Sequence, residues 1–285
     1  MARTLLTVAS WEERFLETAK RQISTGVDNV LALASERFFE VTAPNRAALR
    51  DFAASAGVEV TEAVFDFDDP VASYHGIKAA VSIAAAGRFT EFKFDISTAR
   101  RDILWTTLSA IRQTNSSITV IYCAAGNYKG WQTEEEGDPR LVLNRSGILY
   151  PDLPTYVVLM CGIEVVRAEK LRYRFEPRGG LILRDTNVSD FGERQPFLAP
   201  SSTFTELEFD NKDISDTTLD YLESLLPPSE EFNLVCGSFG PKIGAVLLDR
   251  LVERRPEIAL AYVPAHRYNF QHSGGVGASF EVALR

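Results

Sequence analysis

The stretch that decides the fold is EFNLVCGSFGPKIGAVLLDRLVERRPEIALAYVPAHRYNF, residues 231–270. It aligns without a gap with EFKFDISTARRDILWTTLSAIRQTNSSITVIYCAAGNYKG, residues 91–130. Matched residues are 140 positions apart, as Tyr122 and Tyr262 are, and Tyr128 and Tyr268. Both copies read as an apolar strand, a polar corner, an apolar helix and a second strand. The repeat therefore predicts two copies of one strand–helix–strand unit.

A second pair of segments extends the repeat beyond this unit. VTEAVFDFDD from Val60 resembles FTELEFDNKD from Phe204, 144 positions further along. Apolar runs alternate with helical patterns through most of the chain, which is typical of parallel sheets covered on both faces. We therefore expect an α/β fold of two tandem Rossmann-like units with largely parallel sheets, related by internal duplication. Convergence of two generic strand–helix–strand units on one pattern is the alternative.

The expected division gives an N-terminal Rossmann-like half at 1–150 and a C-terminal half at 151–285. A long connection rich in glycine and proline, residues 124–154, joins them and contains the acidic run Glu134–Glu136. Like surfaces commonly pack about a twofold axis in homodimers, and a fused copy can do the same within one chain. The sequence leaves open whether the halves are separate domains or one packed unit.

Composition and charge restrict the classes of function. The chain has 285 residues, is 45% hydrophobic and carries a formal net charge of −9. This balance is typical of a globular protein with a real core and argues against a broad nucleic-acid surface, which needs an excess of basic side chains. No apolar run approaches the roughly 18 residues of a membrane span. We expect a cytoplasmic protein without a membrane contact.

Three cysteines lie in apolar runs, at Cys123, Cys161 and Cys236, and no CxxC spacing occurs. An odd number of buried thiols indicates a reducing compartment without a disulfide framework or a structural zinc site. We expect neither a cofactor nor a bound metal ion.

Ligands of open parallel sheets bind outside the carboxyl ends of the strands. In the first copy the strand ends in Asp95-Ile96-Ser97, and Arg100 and Arg101 follow. A carboxylate beside two guanidinium groups either orients a polar ligand or forms a structural ion pair. We expect Asp95 to lie near a guanidinium at the mouth of a cleft, because an unpaired buried carboxylate is costly.

Two other strand ends carry polar or aromatic residues in the first half. Asp66, Asp68 and Asp69 precede Pro70, where they either hold a divalent cation or cap a helix. Trp11 follows the first strand and either stacks on a base or packs against the sheet.

The second copy has a different corner. Gly237, Ser238 and Gly240 let backbone N–H groups face a ligand, and Lys242 adds a positive charge at a helix N-terminus. Arg267 and Tyr268 leave the adjacent strand and close the other side of this expected anion site. The alternative is a helix entry with a solvated lysine, because the corner matches no named nucleotide-binding motif.

The corner GSFGPK, preceded by NLVC and followed by an apolar helix, resembles a turn of CARF-like Rossmann-type domains. That family senses oligonucleotide signals in prokaryotic antiviral defence, and two of its domains typically form one ligand pocket. The resemblance covers about 40 residues in each half. The chain departs from the family at Phe239 and Pro241, where glycine and threonine are more usual.

Three interpretations of function remain open. The chain is a sensor or accessory protein that binds a small anionic ligand such as a nucleotide and passes the signal to a protein partner. It is alternatively an enzyme that acts on a nucleotide or nucleoside by carboxylate catalysis, with Asp95 or Asp66 as the carboxylate. The third interpretation is a structural subunit of a larger assembly.

Overall fold

The computed structural model of the protein describes residues 2–86, 89–162, 164–186, 203–210 and 213–284. The chain divides into two compact units. Unit 1 comprises residues 1–132 together with 269–285, and unit 2 comprises residues 133–268. The C-terminal segment therefore belongs to the unit that is built from the N-terminal part of the chain, whereas the expected division places it in the C-terminal half.

Strands and helices alternate along the chain. In order, they are β1 (Ala2–Val8), α1 (Glu13–Ser24), β2 (Asn29–Ser35), a short 3-10 helix (Glu36–Phe38), α2 (Phe39–Ser55), β3 (Glu59–Phe65), α3 (Pro70–Ala85), β4 (Thr90–Asp95), α4 (Arg101–Arg112), β5 (Ser117–Tyr128), β6 (Thr133–Glu136), β7 (Arg140–Leu141), β8 (Thr155–Cys161), α5 (Val165–Phe175), β9 (Gly179–Asp185), β10 (Phe204–Phe209), α6 (Asp216–Ser224), β11 (Asn233–Phe239), α7 (Lys242–Arg254), β12 (Ala259–Tyr262), β13 (Ala265–Tyr268) and β14 (Ser273–Leu284).

Each unit contains a six-stranded sheet, and the two sheets have the same arrangement. The order is β14-β5-β4-β1-β2-β3 in unit 1 and β10-β9-β8-β11-β12-β7 in unit 2. Five strands of each sheet are parallel, and the sixth is an antiparallel edge strand, β14 beside β5 or β7 beside β12. The prediction of an α/β fold with largely parallel sheets is confirmed.

The strand order reverses between β1 and β4 in unit 1, and between β8 and β11 in unit 2. Connections on the two sides of such a point run over opposite faces of the sheet. They leave a crevice at the carboxyl ends of the strands, where parallel sheets bind their ligands. The topology thus indicates one candidate edge in each unit.

The apolar faces of the helices pack against the sheets and cover them. In α1, Phe15, Ala19 and Ile23 recur at a spacing of four, which places them on one face, and all three are buried against the sheet of unit 1. In α5, Ala168 and Leu171 take the same role in unit 2. Burial of a large apolar side chain contributes about 1.5–3 kcal/mol, so these stripes fix the helices on the sheets.

Both copies of the repeat fold as strand–helix–strand units with parallel strands, β4–α4–β5 and β11–α7–β12. The corner that was expected to include Gly237 and Ser238 begins later than predicted. The strand continues through both residues to Phe239, because all three pair with β8 and the Phe239 ring belongs to the buried core.

The three cysteines are buried and free. Burial raises the pKa of Cys236 to about 12 and raises the pKa of Cys161 as well. Since the thiolate is the reactive form, these two side chains are chemically inert in the folded protein. Within the described part of the chain, no helix combines the length and the apolarity that crossing a membrane requires.

Removing the C-terminal segment distinguishes the observed units from the expected halves. A chain that ends at Tyr268 lacks β14, which pairs with β5 and whose Glu281 accepts a hydrogen bond from Gln22 of α1 at 2.5 Å. We expect amide hydrogen exchange to become faster in β5 and α1, while β8 and β11 keep their protection. Loss of protection in unit 2 with an unchanged unit 1 would contradict the observed division.

Candidate functional site

Asp95 ends β4 beside the reversal point of unit 1, and it is fully buried. Its carboxylate accepts hydrogen bonds from the backbone N–H of Ser97, at 2.9 Å, and from the Ser97 hydroxyl. The Ser97 oxygen accepts in turn from the backbone N–H of Cys123 at 2.8 Å. Asp95 and Ser97 thus join the carboxyl end of β4 to the middle of β5. The pairing of Asp95 with an arginine stays a prediction.

Arg100 precedes α4, and its guanidinium lies over the ring of Phe67, 3.8 Å from the centroid. Two of its nitrogens contact the Asp102 carboxylate at 2.8 and 3.1 Å, which orients the group. Arg37, which follows β2, approaches the same ring at 4.8 Å and lies 3.7 Å from the Asp68 carboxylate. Two guanidinium groups therefore meet one aromatic ring beyond the ends of β2, β3 and β4.

Three more aromatic rings extend this group. Trp11 packs edge-on against Phe38 at 5.2 Å and against Phe270 at 4.6 Å, and Phe38 packs against Phe67 at 5.1 Å. Phe270 keeps 47% of its surface exposed. We call Trp11, Arg37, Phe38, Phe67, Arg100 and Phe270 the aromatic–arginine cluster.

Sequence reasoning singled out Trp11 and Arg100 but missed the three phenylalanines of the cluster. Phe38 and Phe67 follow the second and third strands, and Phe270 comes from the C-terminal segment that completes unit 1. An aromatic residue directly after a parallel strand was the available signal for Phe38 and Phe67. No local pattern places Phe270 beside them.

A buried ion pair occurs at the start of the first helix of each unit, and sequence reasoning missed it. Arg14 pairs with Glu12 at 2.7 Å and donates to the carbonyl of Cys123 at 3.1 Å. Arg167 pairs with Glu164 and donates to the carbonyl of Val263 at 2.9 Å. The two acceptor carbonyls occupy matched positions of the repeat, 140 residues apart.

The electrostatic surroundings of these two arginines also match. Burial by itself lowers the pKa of Arg14, but Glu12 and then Tyr128 and Tyr122 outweigh it, so the pKa lies above its ordinary value. Burial likewise lowers the pKa of Arg167, and Glu164, then Tyr262 and Tyr268, outweigh it, so that pKa is also raised. Both arginines are therefore fixed positive charges at the carboxyl edges of the sheets.

The corner of unit 2 is more closely packed than the sequence suggests. Gly237 and Ser238 lie inside β11, where a Cβ on Gly237 would approach Leu171 to 2.8 Å. Beyond the strand, a Cβ on Gly162 would lie 2.7 Å from the Cα of Gly240, so the chains that leave β8 and β11 touch through their backbones. The crevice of unit 2 is therefore lined by main chain at its reversal point.

The remaining predicted residues of unit 2 lie on two elements. Lys242 is the first residue of α7, whereas Arg267 and Tyr268 lie on β13. Arg267 forms an ion pair with Glu134 of the neighbouring β6 at 2.8 Å. The convergence of these side chains with Gly240 on one anion stays a prediction.

The three aspartates after β3 organise the start of α3. Asp69 accepts hydrogen bonds from the backbone N–H groups of Val71 and Ala72, at 2.8 and 2.9 Å, which confirms its predicted role as a helix cap. Asp66 accepts from the N–H groups of Asp68 and Asp69, and these bonds lower its pKa. Among the described residues, no group of three or more histidine, cysteine, aspartate or glutamate side chains is placed to hold a metal ion.

Comparison with known proteins gives a limited result. No family model and no curated protein matches the chain. Among solved structures, Can2 from Sulfobacillus thermosulfidooxidans in complex with cyclic tetra-adenylate is similar, at 12% sequence identity and a TM-score of 0.31. The similarity covers 41% of this chain and 31% of the Can2 chain.

A stability measurement can test the buried ion pair of Arg167 and Glu164 in unit 2. Arg167→Ala leaves Glu164 as a buried charge without its guanidinium, and we expect a loss of about 3–5 kcal/mol in the free energy of unfolding. The matched control is Arg254→Ala, which removes solvent-exposed ion pairs with Asp216, Asp220 and Glu223 and should change stability far less.

A second variant separates the ion pair from simple packing. Adding Glu164→Gln to Arg167→Ala removes the buried charge, so the double variant should be more stable than Arg167→Ala alone in urea unfolding. Equal stabilities of the single and double variants would contradict the electrostatic interpretation.

Proposed function

We propose that the protein binds a nucleotide or a related phosphate-bearing ligand and acts as a sensor or accessory protein. The observation that supports this most is the aromatic–arginine cluster at the carboxyl edge of the unit 1 sheet. Its two guanidinium groups lie 3.8 and 4.8 Å from the centre of one phenylalanine ring, where the topology leaves a crevice.

The chemistry of the cluster suits a nucleotide. Guanidinium groups present planar sets of N–H donors that match phosphate oxygens, and aromatic rings present faces on which any base stacks. Asp102 holds Arg100 by two nitrogens, so little side-chain entropy is lost when a phosphate binds. The exposed ring of Phe270 is the surface that we assign to the base.

The corner of unit 2 is the second part of the proposal. Gly240 and Lys242 stand where α7 begins, and a helix N-terminus favours an anion. Because Gly237 and Ser238 belong to β11, we propose that they contribute to the site by shaping the crevice and not by direct contact with the anion. Arg267 and Tyr268 complete the proposed set, and the resemblance of this corner to CARF-like domains suggests prokaryotic antiviral defence as the setting.

We also propose that the units are Rossmann-like copies of one ancestor, with ancestral halves at 1–150 and 151–285. Antiparallel pairs support this, at the edge of the unit 1 sheet and in a separate two-stranded sheet of β13 and β6 in unit 2. Tyr128 pairs with Ser273 in unit 1, and Tyr268 pairs with Thr133 in unit 2. The two tyrosines differ in number by 140, and so do their partners, but in the opposite direction: Tyr268 comes 140 residues after Tyr128, and Thr133 comes 140 residues before Ser273.

A second set of antiparallel pairs, at the edges of the two six-stranded sheets, shows the same pair of 140-residue differences. Tyr122 pairs with Phe280, and Tyr262 pairs with Arg140, with the same two shifts. Each unit therefore takes its antiparallel edge from the other half of the repeat. Reciprocal exchange of an edge between two copies is how a strand-exchanged homodimer is built, and gene fusion would preserve it.

Arg100→Ala tests ligand binding in unit 1. One charge-assisted hydrogen bond is worth roughly 1.5–3 kcal/mol, so we expect affinity for the preferred member of a nucleotide panel to fall by about ten- to a hundredfold. The control is Arg50→Ala, which removes an arginine of α2 that pairs with Glu62 of β3 and should leave affinity unchanged. Isothermal titration with chromatographic analysis of products measures affinity and any turnover together.

Equal losses in both arginine variants would mean that net charge, and not the cluster, attracts the ligand. Product formation by the wild type would favour the enzyme interpretation over the sensor. Absence of binding across the panel would overturn the proposal for unit 1.

Lys242→Ala tests the corner of unit 2. We expect a similar ten- to hundredfold loss of affinity for an anionic ligand, from about one charge-assisted hydrogen bond, with an almost unchanged melting temperature. Arg254→Ala, at the other end of α7, is the charge-matched control. If Lys242→Ala binds as tightly as the wild type, the corner is a helix entry and the lysine is solvated.

A further inference from the structure

Phe270, the exposed ring of the aromatic–arginine cluster, stands at the tip of a tight turn. The backbone N–H of His272 donates to the carbonyl of Asn269 at 3.1 Å, which closes a β-turn with Phe270 and Gln271 at its two central positions. The Asn269 side chain also accepts a hydrogen bond from the backbone N–H of Gln271 at 3.0 Å, as asparagine commonly does in turns. The backbone is therefore held on both sides of Phe270.

Both ends of this turn are bound to the segment directly after β5. Asn269 donates from its backbone N–H to the carbonyl of Gln132 at 3.1 Å, and from its side-chain amide to the carbonyl of Trp131 at 2.9 Å. At the other end, the backbone N–H of Lys129 donates to the carbonyl of His272 at 2.6 Å. The turn that carries Phe270 is thus attached to unit 1 at both ends.

The imidazole of His272 adds a further attachment, and its geometry fixes the position of the ring proton. Nδ1 lies 3.1 Å from the carbonyl oxygen of Lys129 and 3.2 Å from that of Gly130. A carbonyl oxygen only accepts hydrogen bonds, so Nδ1 carries the proton and donates to both. Nε2 is buried and has no hydrogen-bond partner in the described part of the chain, so a second proton there would be a buried donor without an acceptor. The arrangement therefore favours a neutral ring with its proton on Nδ1.

His272 and Phe270 are two residues apart but differ sharply in exposure. His272 is 6% exposed and its ring centroid lies 5.4 Å from that of Tyr128, whereas Phe270 is 47% exposed. Trp11 and Phe38 contact the Phe270 ring at 4.6 and 6.2 Å with interplanar angles of 75° and 86°, so neither is stacked parallel to it. The turn therefore has a buried polar anchor at its base and an exposed aromatic ring at its tip.

We propose that His272 is a positioning residue for base recognition. Its Nδ1–H, held by the carbonyls of Lys129 and Gly130, fixes the turn so that the Phe270 ring is in place for stacking before a ligand arrives. The role rests on the nucleotide binding proposed above. A side chain that is already ordered loses little conformational freedom on binding, and this preorganisation raises affinity. His272 does not touch the ligand, so it acts on the base through Phe270 and leaves the phosphate contacts of the arginines unchanged.

The four ribonucleoside 5′-monophosphates and ribose 5-phosphate are matched probes, because ribose 5-phosphate lacks only the base. Isothermal titration of the full chain gives a dissociation constant for each probe. The ratio of the constant for ribose 5-phosphate to that for the tightest nucleotide measures the contribution of the base. Stacking of a base on an aromatic side chain raises affinity by about five- to a hundredfold, so Phe270→Ala should lower this base ratio by a factor in that range.

Substitutions of His272 test its role through the same ratio. His272→Leu removes the Nδ1–H, and we expect the base ratio to fall by about two- to tenfold while affinity for ribose 5-phosphate stays nearly constant. His272→Asn keeps an N–H donor on the atom that follows Cγ, where Nδ1 stands, and should retain most of the ratio. Gln271→Ala, at an exposed position of the same turn, is the matched control and should leave the ratio unchanged.

A double variant and a spectrum separate positioning from general stabilisation. If His272 acts through Phe270, adding His272→Leu to Phe270→Ala should not lower the base ratio further, because the two effects are not additive. The ¹⁵N chemical shifts of the His272 ring should show the neutral Nδ1–H tautomer in the wild type without ligand. His272→Gln places its amide nitrogen at the position of Nε2, lacks the Nδ1 donor and replaces His272→Leu if that variant does not fold.

The outcomes distinguish this role from the proposed function. An unchanged base ratio in a folded variant that lacks the Nδ1 donor, an equal loss of affinity for all five probes, or an Nε2–H tautomer would overturn the positioning role while nucleotide binding stands. Failure of the wild type to bind any nucleotide would overturn the proposed function, and the positioning role with it. Circular dichroism of every variant establishes that the comparison is made on folded protein.

Discussion

A buried guanidinium joins the first helix of each unit to a distant segment of the same sheet. Arg14 reaches the carbonyl of Cys123 on β5, and Arg167 reaches the carbonyl of Val263 directly after β12. In each sheet the helix follows a strand that lies two places away from that segment. The contact therefore spans the reversal point and fixes the helix N-terminus beside the crevice.

Each buried guanidinium needs a carboxylate partner. An unpaired guanidinium in the interior costs several kcal/mol, and the carboxylates of Glu12 and Glu164 offset that cost only because they too are held in place. Ser273 donates a hydrogen bond to Glu12 at 2.6 Å, so the edge strand β14 also orients the ion pair of unit 1. The edge strand and the crevice are thus coupled through the Glu12 carboxylate. Loss of β14 would remove one of the contacts that hold the Glu12–Arg14 ion pair beside the crevice.

The sequence was sufficient for the parts of the fold that follow from periodicity. Apolar runs of strand length separated by helical stripes predicted the largely parallel sheets, and the aligned segments 91–130 and 231–270 predicted two strand–helix–strand units with parallel strands. The extent of β11 was not predictable locally, because Gly237 and Ser238 read as a turn until the burial of Phe239 is known. The partners of the edge strands were also not predictable, since strand pairing across more than a hundred residues leaves no mark in either segment alone. The cluster combines side chains from five separate connecting segments, so only Trp11 and Arg100, which stand next to strand ends, were singled out.

The two carboxyl edges share a scaffold but differ in their chemistry. Both have a buried arginine and a matched pair of tyrosines. Both also have a cation on the first residue of the helix that follows the fourth parallel strand, Arg101 in unit 1 and Lys242 in unit 2. Features that both units share are explained by the needs of the fold. The aromatic rings at the edge of unit 1 and the touching glycines at the edge of unit 2 are not shared at matched positions, so the scaffold does not require them. Ligand recognition is therefore best sought in these differences, with base stacking in unit 1 and close approach to the main chain in unit 2.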